Sequence, residues 1–197
     1  KVITINGGKF GERWTKIAQA YGLGAVEIKL PWGDSVEPKQ LEEVVKAHPE
    51  ALYAIAITLW IGGLWAIGYI VAPALFYTLT DRALAGSLAG KLFTLIAYIG
   101  IGCAAYLLLF RLVRFGGACF KHGIFWIVLI MLLLTITGEF GVQPLLASLK
   151  HQALPKEVME SVFRDRFVAW HGVASILYLI QSVLGLLLVW LQGRDPR

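Results

Sequence analysis

The chain has 197 residues, a net charge of +5, and 57% hydrophobic against only 16% charged residues, where a soluble domain carries about a quarter of its residues as charges. Residues 1–50 hold seven Lys/Arg and seven Asp/Glu, which leaves eleven basic and six acidic groups for residues 51–197. The whole excess sits between apolar runs, a pattern that fits the flanks of a membrane and argues against nucleic acid as a partner.

In chain order, Val2 to Asn6 alternates apolar and polar residues as a strand does. Gly7, Gly8 and Gly11 follow, and Trp14, Ile17, Ala18 and Tyr21 mark a helix that Gly22 stops. Ala25 to Leu30 reads as a second strand, and Glu37-Pro38 opens a second helix that ends near His48-Pro49. This β-α-β-α fragment is too small to bury a core alone, so it is not a complete domain. Its glycines invite a phosphate-loop reading, but their spacing matches neither common nucleotide motif and a tight turn fits better. The chain opens on Lys1 without a charged-then-apolar leader, so it reads as a fragment or as lacking its true start.

From Ala51 the pattern changes to four apolar runs, at about 51–79, 92–110, 123–149 and 167–192. Each is long enough to cross a hydrocarbon core of about 30 Å, and each must be helical to satisfy its own backbone in lipid. The expected fold is an all-α membrane protein, a four-transmembrane-helix bundle over 51–197 behind the fragment at 1–50. Gly62/Ala66, Gly68/Ala72 and Gly100/Ala104 sit four apart, a spacing that lets helices approach closely. Pro73 kinks the first run. Leu154 to Phe163 reads as an interfacial amphipathic helix. Cys103 and Cys119 read as small buried hydrophobes and give no disulfide framework. Arg111, Arg114 and Lys121 make the second connection basic without an acid, which favours both termini on the cytoplasmic side.

Polar residues at helical spacing form three stripes: Thr58, Gly62, Trp65 and Tyr69 on the first span; Thr135, Glu139 and Gln143 on the third; His171, Ser175, Tyr178 and Ser182, flanked by Gln181, on the fourth. Such stripes are expected to face the bundle interior. A Glu139–His171 contact is the economical way to hold a carboxylate there. The candidate site is therefore Glu139, Gln143, His171 and Ser175, with Tyr77, Tyr178, Gln181 and Ser182 behind it. It reads as a small-solute, proton or metal site, or as a clamp that only fixes packing. Glu139 and His171 are the candidate metal ligands. A single intramembrane histidine is thin support for metal or haem, because His122 and His151 lie in or near connections. No cofactor is predicted, the lipid bilayer is the expected partner, and the sequence does not decide whether the chain forms a homo-oligomer.

Two resemblances follow from these residues. Val2-Ile-Thr-Ile-Asn-Gly-Gly-Lys-Phe-Gly-Glu-Arg-Trp14, Tyr21-Gly22 and Leu30-Pro-Trp-Gly-Asp34 resemble class V pyridoxal-phosphate aminotransferases of the alanine/serine–glyoxylate type. The likeness covers about fifty residues and lacks the Schiff-base lysine region, so it implies an aminotransferase-derived fusion or fragment without activity, and pyridoxal phosphate is not expected. Leu59-Trp-Ile-Gly-Gly-Leu-Trp65, Ala72-Pro73, Leu75-Phe76, Ala85-Gly86, Gly90-Lys-Leu-Phe93, Gly138-Glu-Phe-Gly141, Gln143-Pro144, Phe167, Trp170-His171 and Ser175 resemble the transmembrane-protein-205-like family of unknown function. That likeness implies a four-helix protein of the bacterial inner membrane with no established reaction.

Overall fold

A computed structural model describes residues 2–153, 159 and 162–192. The chain divides into two compact units, Lys1–Ile55 and Ala56–Arg197.

The first unit begins with β1 (Val2–Asn6), α1 (Lys9–Ala20), β2 (Ala25–Lys29) and α2 (Pro38–Ala47). The strands pair in parallel with Val2 opposite Ala25 and Asn6 opposite Lys29. Gly22 ends the α1 turn at φ +70°, a conformation that glycine adopts without a Cβ penalty. Gly11 matters for another reason: a methyl there would overlap the Ile5 carbonyl, so its absence lets α1 lie directly on β1. The glycines at 7, 8 and 11 thus serve a tight turn and close packing. The Thr4 and Thr15 hydroxyls join strand to helix at 2.8 Å. Phe10, Trp14, Tyr21 and Trp32 stay exposed.

Four helices are long and apolar enough to cross a membrane: Pro49–Thr78, Arg82–Lys121, Gly123–Ala153 and Arg164–Gln192, hereafter spans 1 to 4. The chain is a multi-pass membrane protein. Span 2 starts ten residues earlier than the uncharged run suggests. The Asp81 carboxylate caps the Leu84 N–H at 3.0 Å and starts α5 (Arg82–Phe115) there, so Arg82 and Lys91 stand on the helix and not in a loop. A 3-10 turn at Gly116–Lys121 and then α6 (Gly123–Ile136) follow. The amphipathic helix expected at 154–163 falls largely outside the described residues.

Spans 1 and 3 are not plain α-helices. In span 1, α3 (Pro49–Trp65) gives way to a π segment at Ala66–Val71 before α4 (Ala72–Thr78). In span 3, α6 gives way to a π segment at Thr137–Val142 before α7 (Gln143–Ala153). Each π segment closes on a five-residue hydrogen bond, from Ala72 N–H to the Ile67 carbonyl and from Gln143 N–H to the Gly138 carbonyl. A proline stands one residue beyond each closing residue, Pro73 and Pro144. Proline removes an N–H and crowds the carbonyl four residues back; the wider π turn relieves that crowding. The kink expected at Pro73 is realised in this form.

The core of the second unit is a set of large side chains over small ones. Ile57, Trp60, Ile61 and Leu64 form the buried stripe of span 1, and Trp60 is fully enclosed. Ala85, Ala89, Ile96, Gly100, Ala104 and Leu107 form that of span 2. Trp60 fits because Gly100 has no side chain, and Ile96 fits because Gly63 has none. Gly62, chosen from its spacing to Ala66, faces open space instead. Val128, Met131, Gly185 and Leu188 complete the core from spans 3 and 4 (α8, Arg164–Gln192). Thr58, Gly62 and Trp65 of the first stripe do not turn inward, because the four large apolar residues of span 1 occupy the inner face, and only the Tyr69 hydroxyl of that stripe reaches a neighbouring span.

A methyl at Gly68 would overlap the Tyr178 ring, whereas one at Gly62 meets nothing. Gly68→Ala is therefore expected to destabilise the folded protein by about 1–3 kcal/mol through overpacking, and Gly62→Ala to be neutral or slightly stabilising from helix propensity. Thermal unfolding in detergent, followed by circular dichroism, measures both.

Candidate functional site

Two arrangements of polar side chains stand apart in the second unit. The first is a closed seam. Gln181 on α8 donates its Nε2 to Thr135 Oγ1 on α6 at 2.6 Å, and Thr135 in turn bonds the Met131 carbonyl at 2.8 Å. All of these groups are buried. Near them Tyr69 of the π segment in span 1 donates to Ser182 Oγ at 2.9 Å, and Ser182 bonds the Tyr178 carbonyl. The Tyr178 hydroxyl bonds the Leu64 carbonyl, two residues before that π segment opens. Phe93 meets the Tyr178 ring edge-on at 5.2 Å and Tyr69 meets it at 6.3 Å. Each polar atom of this seam is met by another, the expected state of such groups in an apolar surround.

The second arrangement is open. Glu139 lies within the π segment of span 3, sixteen residues from Gly123 and fourteen from Ala153, the ends of that span. It is half-buried, and no hydrogen bond or ion pair reaches it among the described residues. Gln143, one turn on, is also half-buried. The π segment explains why this stripe fails: Thr135 precedes it and points inward, but the wider turn rotates Glu139 and Gln143 off that face.

His171 and Ser175 are exposed. The His171 ring stacks on Phe167 at 5.8 Å with the planes 11° apart, and Ser175 bonds the His171 carbonyl of its own helix. The structure does not bring Glu139 and His171 into contact. Thr135 lies beside Gln181 and Lys150 beside Phe167, so the antiparallel register sets His171 level with about Leu145. At about 1.5 Å per residue that is about 9 Å along the axis from Glu139. The expected carboxylate–imidazole pair is corrected accordingly. Tyr77 is 94% exposed and takes no part in either arrangement. Tyr178, Gln181 and Ser182, the secondary candidates, are the ones the fold brings together.

Sequence reasoning missed Tyr69 as a partner of Ser182, and missed Lys150, whose Nζ lies over the Phe167 ring at 5.8 Å. Pro73 and Pro144 were the available signals for both π segments. Among the described residues no group of three His, Cys, Asp or Glu is placed to hold a metal ion. Cys103 and Cys119 are free thiols, Cys119 fully buried and Cys103 partly so.

Residues 55–155 match the family model described as a domain of unknown function, DUF4149. The chain belongs to the DUF4149 family. The curated relatives match elsewhere, in the N-terminal region, and only in part. The chain is 38% identical over 48 residues to the soluble hydrogenase small subunit of Synechococcus sp., covering 24% of this chain and 12% of that one. It is 36% identical over 50 residues to an uncharacterized aminotransferase of Methanocaldococcus jannaschii, covering 25% and 13%. It is 34% identical over 47 residues to the L-aspartate–glyoxylate aminotransferase of Paracoccus denitrificans, covering 24% and 12%. The chain thus spans about an eighth of the length of these relatives. No solved structure matches it significantly.

The Thr135–Gln181 bond links two spans of this DUF4149 protein, and its strength is measurable. A double-mutant cycle with Thr135→Val and Gln181→Leu, read by denaturant unfolding in micelles, is expected to give a coupling energy of about 0.6–1.7 kcal/mol.

Proposed function

We propose that this DUF4149 protein is a transmembrane-protein-205-like component of the bacterial inner membrane, with both termini cytoplasmic, that handles a proton or a small solute at Glu139. The observation that carries the reading is the placement of one carboxyl near the middle of span 3, half-buried in a π segment and without a partner among the described residues. An ionised carboxylate at bilayer depth costs about 3 kcal/mol or more, so such groups mark proton or ion pathways by default. A π segment is a frequent companion of a functional site because it leaves backbone groups off the regular ladder. Gln143, four residues on along the same span, would orient what Glu139 receives. His171 lies too far along the axis to share the load, so metal handling through a Glu139–His171 pair has little support.

A second reading is a structural membrane protein held by polar helix–helix clamps. The Thr135–Gln181 and Tyr69–Ser182 bonds favour it, since both pairs spend their hydrogen-bonding capacity on each other. Under either reading the N-terminal fragment is an aminotransferase-derived piece without activity of its own. The matches to aminotransferases over 50 and 47 residues support the aminotransferase-derived part of that view.

Reconstituted vesicles with an imposed pH gradient and an internal pH dye separate the two readings. The wild type is expected to collapse the gradient faster than empty vesicles do. Glu139→Gln is expected to fall to the empty rate while keeping its helical circular dichroism. If both forms are folded and behave alike, Glu139 is not a proton site.

A further inference from the structure

At the membrane face where spans 1 and 2 connect and spans 3 and 4 connect, side chains of spans 1, 3 and 4 meet over a glycine of span 2. Lys150 ends span 3, and its Nζ lies over the Phe167 ring of span 4 at 5.8 Å. The other neighbour of that ring is His171, stacked at 5.8 Å. The same Nζ lies 3.9 Å from where a Cβ would stand on Gly86 of span 2, and the Phe76 ring of span 1 lies 3.7 Å from that point. The lysine is held by an aromatic face and not by a carboxylate: among the described residues it has no ion pair. Asp81, the residue just ahead of span 2, is engaged in capping the Leu84 N–H. The first turn of span 4 adds Arg164 and Arg166 against Asp165, and the first turn of span 2 adds Arg82. Beside these charges the surface is apolar and open, with Phe76 48% and Val168 50% exposed.

We propose that Lys150, with Phe167 and His171, seats the phosphate of an anionic phospholipid at this membrane face. The ammonium supplies the charge, the exposed imidazole supplies a hydrogen-bond donor, and Phe167 fixes both by contact with each. The adjoining apolar surface of Phe76 and Val168 takes the acyl chains. That surface distinguishes a lipid from a free phosphate, which gains nothing from it. Aromatic and basic residues gathered at a membrane boundary are the expected chemistry for anionic headgroups. The inference is independent of Glu139, which lies about 16 Å away along span 3.

Native mass spectrometry of the full chain, released from detergent doped with equal phosphatidylglycerol and phosphatidylcholine, tests it. The wild type is expected to retain phosphatidylglycerol in preference. Lys150→Gln is expected to lose that preference by about fivefold, and Lys150→Arg to keep it. Equal retention of the two lipids by the wild type overturns the proposal without recourse to any variant. So does an unchanged preference in a folded Lys150→Gln. Displacement of the bound lipid by millimolar inorganic phosphate would instead assign the site to a soluble anion and overturn the lipid assignment.

Discussion

A backbone in hydrocarbon has no water to bond with, and the second unit is arranged around that constraint. It explains why the described residues of the four spans are built almost wholly from helix, and why Pro73 and Pro144 within them do not simply break them. Pro73 and Pro144 each follow a π segment that closes on a five-residue hydrogen bond. The helix continues past each proline with its bonding shifted instead of lost. The Tyr178 hydroxyl reaches across from span 4 to the Leu64 carbonyl, just ahead of the first π segment. A side chain of one span thus satisfies backbone in another where the ladder changes.

The same constraint sorts the polar side chains. Those that turn inward, Thr135, Gln181 and Ser182, are bonded to one another or to backbone. Close approach makes those bonds possible, and glycine makes the approach possible: Gly68 admits Tyr178, Gly100 admits Trp60 and Gly185 lies against Ile61. Glu139 differs from these three. It sits near the middle of a span with no partner among the described residues, and the functional reading rests on that contrast.

The spans were legible because apolar runs of nineteen residues or more, three of them uncharged and the third interrupted only by Glu139, are hard to read otherwise. The strands and helices of the N-terminal fragment were legible because Gly22 and Pro38 mark their ends. The start of span 2 was not, since Arg82 and Lys91 look like loop charges until Asp81 is seen to cap a helix. The site was read on an α-helical period throughout. That period holds for Tyr178 and Ser182 on unbroken α8, and fails for Glu139 and Gln143, which lie in and after a π segment. Spacing alone also chose Gly62 over Gly63. A four-residue pattern names a face, and only the large residues opposite decide which face is buried. The level of His171 against Glu139 depends on a register between two helices, which neither helix encodes by itself.

The central claim is that the chain crosses the bilayer four times, and sided labelling tests it most directly. Single cysteines at Thr80 and Gly117, in a background with Cys103 and Cys119 changed to alanine, are exposed to a membrane-impermeant maleimide in intact cells and in inverted vesicles. The account predicts that the two positions label from opposite sides, because α5 (Arg82–Phe115) lies between them. Labelling of both from the same side would contradict it.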